Sequence, residues 1–407
     1  MIPVDEARRL VLAGCGTLPP ASLALADSLG CVTTTRVVAG ADVPPFANTA
    51  MDGFAVRGAD TVGAPVRLEV VGTLAAGSAP ERPVEPGQAV RIMTGAPIPP
   101  GADAVVMVER TSPGGGGAAD DVVVIEVEAR PGDHIRGAGD DLRAGQVVFE
   151  PLTVLTPGHL GVLASLGWEA VTVFPPARVG VLSTGDELVE GPGPLRMGQI
   201  RDSNRPTLLA MVREAGCVPV DLGRAPDDEA AITAAVEAGL SGCDALVTSG
   251  GVSVGDFDYV KVVLDRLGRM NWWQVAVRPA KPLAFGVVGG KPVFGLPGNP
   301  VSSMVSFELF ARPALRRMMG HRRLFRPEVE AVADEALSRR PDGKLHLVRV
   351  VASYGDDGRY HVASSGGQGS HMLRAMAMAN ALALLPDGDG VHTGETVKVL
   401  LTGNLGG

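Results

Sequence analysis

The stretch Val179-Gly180-Val181-Leu182-Ser183-Thr184-Gly185-Asp186-Glu187 decides the predicted fold, because an apolar run passes directly into a glycine turn that carries hydroxyl and carboxyl side chains. Two later stretches repeat the arrangement: Ala245–Thr248 leads into SGGVSVGD at 249–256, and Val293–Leu296 leads into PGNP at 297–300. Each loop precedes a segment that can be helical. Strand, glycine loop and helix in repetition predict a parallel α/β sheet, whose ligands bind at the carboxyl edge of the strands.

Length and composition indicate a folded chain with several domains. The 407 residues exceed one ordinary core, so about two to four domains are expected. Hydrophobic residues make up 45% of the chain and charged residues 20%, which is typical of globular proteins. The net charge of −9 argues against a general nucleic-acid binder. An anionic substrate stays open, because a few lysines, helix amino ends and a bound metal can reverse the local field.

Cysteine usage and hydropathy indicate the compartment. The four cysteines, Cys15, Cys31, Cys217 and Cys243, lack the spacing of a zinc or redox site, which favours buried free thiols in a reducing cytosol. The amino end shows no export signal, and no apolar segment is long enough to cross a bilayer. We therefore expect a cytoplasmic protein that does not span a membrane.

Apolar periodicity, capping residues and prolines predict the helices. Leu23–Leu29 is a short helical candidate, and Asp227 can cap a helix further along the chain. Asn299 and Pro300 form a cap and a first-turn proline before another helix. Pro313 should kink or break that helix.

Alternating and β-branched segments predict strands on both sides of the α/β region. In the first half the clearest are Val66–Val70 and Val122–Val127, and the glycine run at 113–117 reads as a hairpin tip or disordered insert. After Pro327 a small sheet or barrel is expected, from strands at Leu345–Val351, Tyr360–Ser364, Ala381–Leu385 and Val397–Leu401.

Several common catalytic and nucleotide-binding motifs are missing from the sequence. A G-x-G-x-x-G after a strand, a G-x-x-x-x-G-K-[ST] loop and an H-E-x-x-H helix do not occur. Dinucleotide enzymes, P-loop enzymes and metalloproteases of the usual kinds are therefore disfavoured.

The loop at 249–256 has the composition of an anion cradle. Its three glycines let backbone amides approach a ligand, and Ser249 and Ser253 add hydroxyl donors suited to phosphate or a molybdate-like oxyanion. The alternative is a tight turn that merely needs glycine. The anion interpretation is favoured because hydroxyls and carboxylates crowd the same loop.

Two further groups of charged residues are candidates for ligand binding. Asp186 and Glu187 follow one strand and Asp256 and Asp258 another, so the four could hold Mg²⁺ together with a substrate phosphate. Charge compensation at helix amino ends, ~0.3–1 kcal/mol each, explains single members equally well. The segment 278–282 places two cations three positions apart among prolines; it could hold a phosphate or be a solvated turn.

Taken in order, several motifs resemble the molybdopterin molybdenumtransferase family, the MoeA type that includes the carboxyl-terminal part of gephyrin. They are NTAMDGFA at 48–55, RIMTGAP at 91–97, STGDEL at 183–188, SGGVSVG at 249–255 and GLPGNPVS at 295–302. The resemblance implies insertion of molybdenum into adenylylated molybdopterin, with molybdate as the other reactant and AMP released. It also implies Mg²⁺ or another divalent cation, a homodimer with a site shared between protomers, and transient contact with other enzymes of the pathway.

The resemblance implies a multidomain α/β plus β architecture. A helical and linker domain would comprise 1–50 and 131–176, and a β-rich domain would be inserted at 51–130. A three-layer parallel α/β domain like MogA and MoaB would span 177–326 and bind molybdopterin, and a carboxyl-terminal β-barrel would span 327–407.

Site residues carried over by motif position fall into three groups. The implied catalytic residues are Asp52, Thr94, Asp141, Glu187, Asp258, Lys281 and Ser370. The implied substrate-binding residues are Ser183, Thr184, Gly185, Ser249, Gly250, Gly251, Ser253, Gly255, Arg278, Pro297, Gly298, Asn299 and Pro300. The implied metal ligands are Asp186, Glu187, Asp256 and Asp258.

The sequence departs from the family pattern at three positions. Ala47 stands where an aspartate is frequent, Arg278 where a lysine is common, and Pro206 where an aromatic residue is frequent. Arginine for lysine keeps the charge and changes its geometry. Ala47 removes a carboxylate and puts any role of that position in doubt.

Two alternatives compete with molybdenum insertion. One is a gephyrin-like scaffold that binds partner peptides without turnover, since a fold does not establish an activity. The other is the adenylylation of molybdopterin, whose enzymes share the loop at 249–255 but consist of a single α/β domain. The β-rich flanks of this chain argue against the second.

Overall fold

A computed structural model describes residues 1–114, 121–251 and 259–403. The chain forms two compact units. The first contains residues 1–23, 27–34 and the chain from 172 onward, and the second contains 24–26 and 35–171.

The α-helices in the described residues are α1 (Val4–Ala13), α2 (Pro157–Ser165), α3 (Asn204–Glu214), α4 (Glu229–Gly242), α5 (Tyr259–Leu267), α6 (Pro300–Ser306), α7 (Arg312–Met318) and α8 (Leu373–Met378). A π-helical segment, Phe307–Ala311, joins α6 to α7, and short 3₁₀ turns lie at Leu25–Asp27, Gly58–Thr61 and Val108–Arg110.

The strands up to the start of the α/β region are β1 (Ala21–Ala24), β2 (Val32–Thr33), β3 (Val37–Val38), β4 (Asn48–Thr49), β5 (Gly53–Val56), β6 (Val66–Leu74), β7 (Gln88–Ile92), β8 (Ala104–Met107), β9 (Thr111–Pro113), β10 (Val122–Ile125), β11 (Ile135–Arg136), β12 (Val147–Phe149) and β13 (Ala170–Phe174). Those that follow are β14 (Arg178–Thr184), β15 (Leu188–Val189), β16 (Ile200–Arg201), β17 (Val218–Ala225), β18 (Ala245–Ser249), β19 (Arg269–Gln274), β20 (Val277–Arg278), β21 (Pro282–Val288), β22 (Lys291–Leu296), β23 (Glu328–Ala333), β24 (Leu337–Ser338), β25 (Leu345–Tyr354), β26 (Tyr360–Ser364), β27 (Ala381–Leu385), β28 (Gly390–Val391) and β29 (Thr396–Leu401).

The second unit is built on a sheet of order β8-β5-β7-β6-β10-β9. Its pairings are antiparallel except for β6 with β7. Two apolar clusters pack against it, one around Phe54 and Ile125 and the other around Ile92 and Val105. The two segments predicted as clearest strands lie here, and β9 and β10 form a hairpin whose connecting residues 115–120 lie outside the described part of the chain.

The first unit contains a sheet of order β17-β14-β18-β22-β21-β19. The strands β14, β18 and β22 are buried almost throughout, because helices cover both faces. Alternate residues of β18 enter different cores: Val247 packs with α3, α6 and α7, and Leu246 packs with α4 and α5. This alternation makes the domain three-layered, as predicted.

The predicted parallel sheet is parallel over part of its width. The strands β17, β14, β18 and β22 are parallel to one another. In contrast, β21 pairs antiparallel with β22, and β19 pairs antiparallel with β21. The cause is the short turn between β21 and β22, where Gly289 and Gly290 have φ of 58° and 82°. Two consecutive positive φ angles form a tight hairpin, which reverses the strand direction.

The carboxyl-terminal strands close into a barrel. The order β25-β26-β23-β29-β27 returns to β25 through a further antiparallel pairing. Its interior is filled by small and branched residues such as Ala331, Val350 and Val399. The strands predicted after Pro327 all occur, so the fold class expected from the sequence is confirmed, whereas the finer division into four domains stays a prediction.

Three local predictions are corrected by the structure. Leu23–Leu29 does not form an α-helix, since it contains the end of β1 and a 3₁₀ turn. The cap of α4 is Asp228, whose carboxylate accepts from Ala231 N at 2.8 Å, and not Asp227. The interruption predicted at Pro313 begins earlier, at the π-helical segment Phe307–Ala311, and Pro313 lies in the first turn of α7, which follows that segment.

Candidate functional site

The three glycine loops meet at the carboxyl edge of the first unit's sheet. Ser183 pairs with Ser249 and Ser249 pairs with Leu296 in parallel register, so the three strands end at the same level. The amide of Gly250 donates to the carbonyl oxygen of Leu296 at 3.1 Å. The structure therefore brings together loops that are widely separated in the sequence.

Gly250 is required where the first two loops touch. Its φ is 98°, a conformation that side chains rarely adopt. A Cβ atom there would lie 2.9 Å from the carbonyl oxygen of Thr184 and 3.1 Å from its hydroxyl. The two loops therefore pack backbone against backbone.

Two polar side chains join the three loops, and we call Asp202 and Asn204 together the loop clasp. Asp202 Oδ2 accepts from the hydroxyl of Ser183 at 2.5 Å. Asn204 Nδ2 donates to Ser249 Oγ at 2.7 Å and to the carbonyl oxygen of Gly298 at 2.6 Å. Neither residue is predicted as a site residue from sequence, although a polar run between an apolar residue and a helix start is a visible signal.

The loop clasp is anchored by Arg205. Its guanidinium lies 2.6 Å from Glu190, 2.6 Å from Asp221 and 3.4 Å from Asp202. The Asp202 side chain is 1% exposed and also accepts from the Arg205 backbone amide at 3.1 Å. These bonds fix a buried carboxylate that would otherwise be costly to desolvate.

The predicted metal ligands are described only in part. Asp186 and Glu187 are exposed, and Asp186 Oδ1 accepts from the Asp227 amide at 3.2 Å. Asp256 and Asp258 lie outside the described residues, as do Ser253 and Gly255. Within the described ranges, no group of three or more His, Cys, Asp or Glu side chains could hold a metal. The metal site therefore stays a prediction.

A second cluster of predicted residues lines a cleft that we call the basic cleft, with a volume of about 320 Å³. Its polar side chains come from Arg278, Lys281, Ser302, Lys344 and Ser370, with Gln368 at the rim. The segment 278–281 turns sharply at Ala280, whose φ is 82° although it is not glycine. Such left-handed non-glycine residues cluster at ligand sites. Arg278, Lys281 and Ser370 therefore line one cleft, although the sequence did not predict that they lie together.

The loop that carries Ser370 is held by Arg349. This arginine is 1% exposed, and its Nη2 donates to the carbonyl oxygens of Gly367 at 2.9 Å and Gly369 at 3.1 Å. Burial lowers the pKa of its guanidinium. Arg349 also lines an adjoining cleft of about 560 Å³ that shares Arg278 and Gln368 with the basic cleft. The sequence does not identify Arg349 as a site residue, because a single arginine within an apolar strand does not indicate which groups it contacts.

In the second unit, Asp52 and Thr94 form a close pair. Asp52 Oδ1 accepts from the Thr94 amide at 2.6 Å and from its hydroxyl at 2.7 Å. The Thr94 hydroxyl, then its amide and the nearby Arg91 charge, hold the pKa of Asp52 below its usual value. Thr94 thus orients the Asp52 carboxylate and favours its ionised form.

Asp141, which is also a predicted site residue, is exposed, and its amide donates to the Val43 carbonyl oxygen at 3.0 Å.

Fold and site together define a multidomain protein in which three glycine loops begin at one edge of an α/β sheet and a cationic cleft adjoins the carboxyl-terminal barrel. Three family profiles match along the chain: the MoeA N-terminal region (domain I and II) at residues 2–167, the probable molybdopterin binding domain at 180–317, and the MoeA C-terminal region (domain IV) at 331–402. This chain belongs to the molybdopterin molybdenumtransferase family, as its motifs predicted.

Individual relatives match over nearly the full length. The molybdopterin molybdenumtransferase of Haemophilus influenzae is 38% identical over 403 residues, covering 98% of both chains. Molybdopterin molybdenumtransferase 2 of Mycobacterium tuberculosis is 40% identical over 400 residues, covering 95% of this chain and 96% of the relative. The crystal structure of the molybdopterin biosynthesis moeA protein from Pyrococcus horikoshii OT3 is similar with a TM-score of 0.77 at 28% identity, covering 98% of this chain and 100% of that one.

Membrane insertion was also predicted to be absent. Across the part of the chain that the structure describes, none of the helices has the length and apolar character needed to span a bilayer.

Proposed function

We propose that this protein inserts molybdenum into molybdopterin, taking adenylylated molybdopterin and molybdate as substrates and releasing AMP. Membership of the family and the names of its relatives support the reaction class. The observation that carries the proposal is the basic cleft, because three residues implied by the family resemblance, Arg278, Lys281 and Ser370, line one cavity.

The basic cleft has the chemistry to bind molybdate. Arg278 and Lys281 supply two cations, and Ser302 and Ser370 supply hydroxyl donors. Lys344 is already paired with Asp342 at 2.7 Å, which leaves the other two cations to meet a dianion. Charge-assisted hydrogen bonds to an oxyanion are about twice as strong as neutral ones. We assign the oxyanion substrate to this cleft.

The carboxyl edge of the sheet suits the phosphate-linked part of the substrate. Amides of the glycine loops and the Ser249 hydroxyl would stabilise the negative charge of the anhydride. In the reaction, two Mo–S bonds form, and one oxo ligand leaves with both thiol protons as water. Hydrolysis of the phosphoanhydride consumes one water and gives AMP.

A divalent cation would assist at the same edge. Asp186 and Glu187 are exposed oxygen donors beside the Ser183 loop, and Mg²⁺ commonly uses one or two carboxylates with water and phosphate. When bound, the cation would neutralise charge on the anhydride. We keep Asp256 and Asp258 as further proposed ligands.

The remaining parts of the proposal follow the family resemblance. The protein would be a cytoplasmic homodimer with a site shared between protomers, and Asp52, Thr94 and Asp141 would contribute to catalysis. Light scattering would test the dimer against the mass of one chain, 41.8 kDa.

The decisive experiment incubates the purified protein with adenylylated molybdopterin, molybdate and Mg²⁺. We expect AMP release that depends on molybdate, together with activation of a cofactor-free molybdenum enzyme. Release of AMP without cofactor formation would contradict molybdenum insertion.

A parallel reaction separates the alternatives. Free molybdopterin and ATP replace the adenylylated substrate, and consumption of ATP would indicate an adenylyltransferase. Absence of turnover in both reactions, with molybdopterin still bound, would leave the scaffold interpretation standing.

A further inference from the structure

We infer that Asn204 is a positioning residue that sets the spacing of two substrate loops and fixes the Ser249 hydroxyl as a donor toward the substrate phosphate. The kinetic part of this inference rests on the proposed function, and the structural part does not. Asn204 is the first residue of α3, and its two hydrogen-bond partners lie in different loops.

Both amide hydrogens of Asn204 are committed to the loops. A side-chain amide nitrogen has two N–H donors, and here one meets Ser249 Oγ at 2.7 Å and the other meets the Gly298 carbonyl oxygen at 2.6 Å. The two acceptors lie 45 and 94 positions away in the sequence. One planar group therefore holds the end of β18 at a fixed distance from the loop after β22.

The direction of the first bond decides the role of Ser249. Because Ser249 Oγ accepts from Asn204, its own hydroxyl hydrogen is left to donate elsewhere. Among the described residues, that hydrogen has no acceptor. Ser249 is the last residue of β18 and adjoins Gly250, so its hydroxyl lies at the edge where the loop amides would meet an anion in our proposal.

Ser183 makes the opposite arrangement at the neighbouring strand. Its hydroxyl donates to Asp202 Oδ2 at 2.5 Å, and the residue is 0% exposed. The hydrogen of Ser183 is thus committed to the loop clasp and that of Ser249 is not. Two serines in the same register and both predicted to bind substrate therefore have different roles: Ser183 secures the loop, and Ser249 contacts the ligand.

The loop clasp rests on a rigid element. Helix α3 buries Leu208, Met211 and Val212 in the sheet's core, and Arg205 ties the start of the helix to three carboxylates. Groups that orient ligand-binding side chains act best from such packed elements.

The test compares Asn204→Ala and Asn204→Asp with Asn271→Ala. Asn271 is exposed on β19 and makes one long hydrogen bond, to the Phe285 carbonyl oxygen at 3.4 Å. Hydrogen exchange is measured in the free protein for amides at 249–251 and 296–301. We expect exchange at Gly250 to rise by roughly tenfold in both Asn204 variants, since a typical intramolecular hydrogen bond contributes ~0.5–1.5 kcal/mol, and to stay unchanged in the control.

Steady-state kinetics supplies a readout that a purely structural role would not move. In Asn204→Asp the carboxylate accepts the Ser249 hydrogen and turns the donor away from the substrate, so KM for adenylylated molybdopterin should rise more than in Asn204→Ala. Adding Ser249→Ala should then cost little in the Asp background and about tenfold in the wild-type background, the usual effect of one lost hydrogen bond.

Each outcome decides the inference. Unchanged exchange at 249–251 and 296–301 in the Asn204 variants would overturn it, as would additive effects of Asn204→Asp and Ser249→Ala. If the wild-type protein releases no AMP, the proposed function fails, and the exchange measurement still decides whether Asn204 couples the loops.

Discussion

The carboxyl edge of the sheet and the basic cleft lie in the same unit, and we propose that they bind anions in different ways. In our proposal the edge uses neutral groups, namely loop amides and the Ser249 hydroxyl, which the Asn204 amide positions. The cleft uses the full charges of Arg278 and Lys281. A neutral cradle depends on geometry, whereas a cationic cleft depends on charge and is screened by salt. The affinity for an anion at the sheet edge and the affinity in the basic cleft should therefore change with different substitutions.

Each region is also held by one side chain with two donors. Asn204 bridges Ser249 and Gly298 at the edge, and Arg349 bridges Gly367 and Gly369 beside the cleft. In both cases one nitrogen donates to two acceptors, and the Arg349 side chain is 1% exposed, so its acceptors would be costly to leave unpaired. Positioning is thus similar in the two regions, although the chemistry they present differs.

The largest effect is expected from removing the cleft's charge with Arg278→Ala and Lys281→Ala together. Each charge-assisted hydrogen bond contributes ~1.5–3 kcal/mol, so molybdate affinity should fall by roughly 100-fold or more. Calorimetric titration with molybdate at two ionic strengths measures this. Lys398→Ala, an exposed lysine on β29, is the matched control. Unaltered molybdate binding in the double variant would contradict the proposal that the basic cleft binds the oxyanion through these two charges.

A smaller effect is expected from Arg349→Lys, which keeps the charge and loses the bridge between two carbonyl groups. Turnover should fall by about tenfold, because an unsatisfied buried acceptor costs ~1–3 kcal/mol and the Ser370 loop is released. The measurement is kcat and KM for molybdate, with Arg269→Lys on the exposed side of β19 as control. Full activity in Arg349→Lys would show that charge alone suffices there.

At the edge, Gly250→Ala tests geometry without any change of charge. The added Cβ would approach the Thr184 carbonyl oxygen at 2.9 Å, and φ is 98°, so stability should fall by about 1–3 kcal/mol and turnover by about tenfold. Gly290→Ala is the control, because its φ of 82° is similar and no atom lies within 4 Å of the new Cβ. Urea unfolding and AMP release are compared, and equal losses of activity in both variants would contradict the contact between the loops.

The smallest expected effect is a pH dependence of the barrel's stability. This dependence must be known before binding at the sheet edge or the basic cleft is compared at different pH values. His361 Nδ1 lies 2.7 Å from Asp334, and Nε2 lies 3.1 Å from Asp357. Hydrogen bonds to Asp334 and then to Asp357 raise the pKa of His361 above 6.5. The stabilisation is therefore complete below pH 6.5 and is lost as pH rises through the raised pKa of the folded state.

The measurement is the unfolding temperature across that pH range. His361→Gln should flatten the decline, and His392→Gln, an exposed histidine on the barrel, should leave it unchanged. If the unfolding temperature declines equally with pH in the wild type and in His361→Gln, His361 does not cause the decline.

Much of the fold could be predicted from local patterns. The runs ending at Leu182, Thr248 and Leu296 were predicted as buried strands, because such strands are apolar throughout and end in glycine turns, and the observed strands end within two residues of these positions. The reversal at Gly289 was missed, since a two-residue turn changes strand direction without altering the apolar pattern. The cap at Asp228 was displaced by one residue, because two adjacent aspartates are equally good caps by type.

The site was predictable in its residue types and not in its connections. The spacing of Arg278 and Lys281 predicted either a phosphate site or a solvated turn, and nothing in that spacing links them to Ser370 or Lys344 in one cleft. Asp202, Asn204 and Arg349 were not identified, since each is one polar residue whose partners belong to other segments. The roles of the predicted catalytic and metal-binding residues stay predictions.

By itself the sequence determined the α/β sheet, the barrel, the family and the loops that would carry chemistry, because these depend on periodicity and turn residues that act between neighbours in the chain. Only the tertiary structure decided which groups share a cavity, that Ser183 donates to Asp202 and that Ser249 accepts from Asn204. The reason is that the deciding hydrogen bonds join residues 45 and 94 positions apart, and contacts across such distances are set by packing of the whole sheet and not by any local preference.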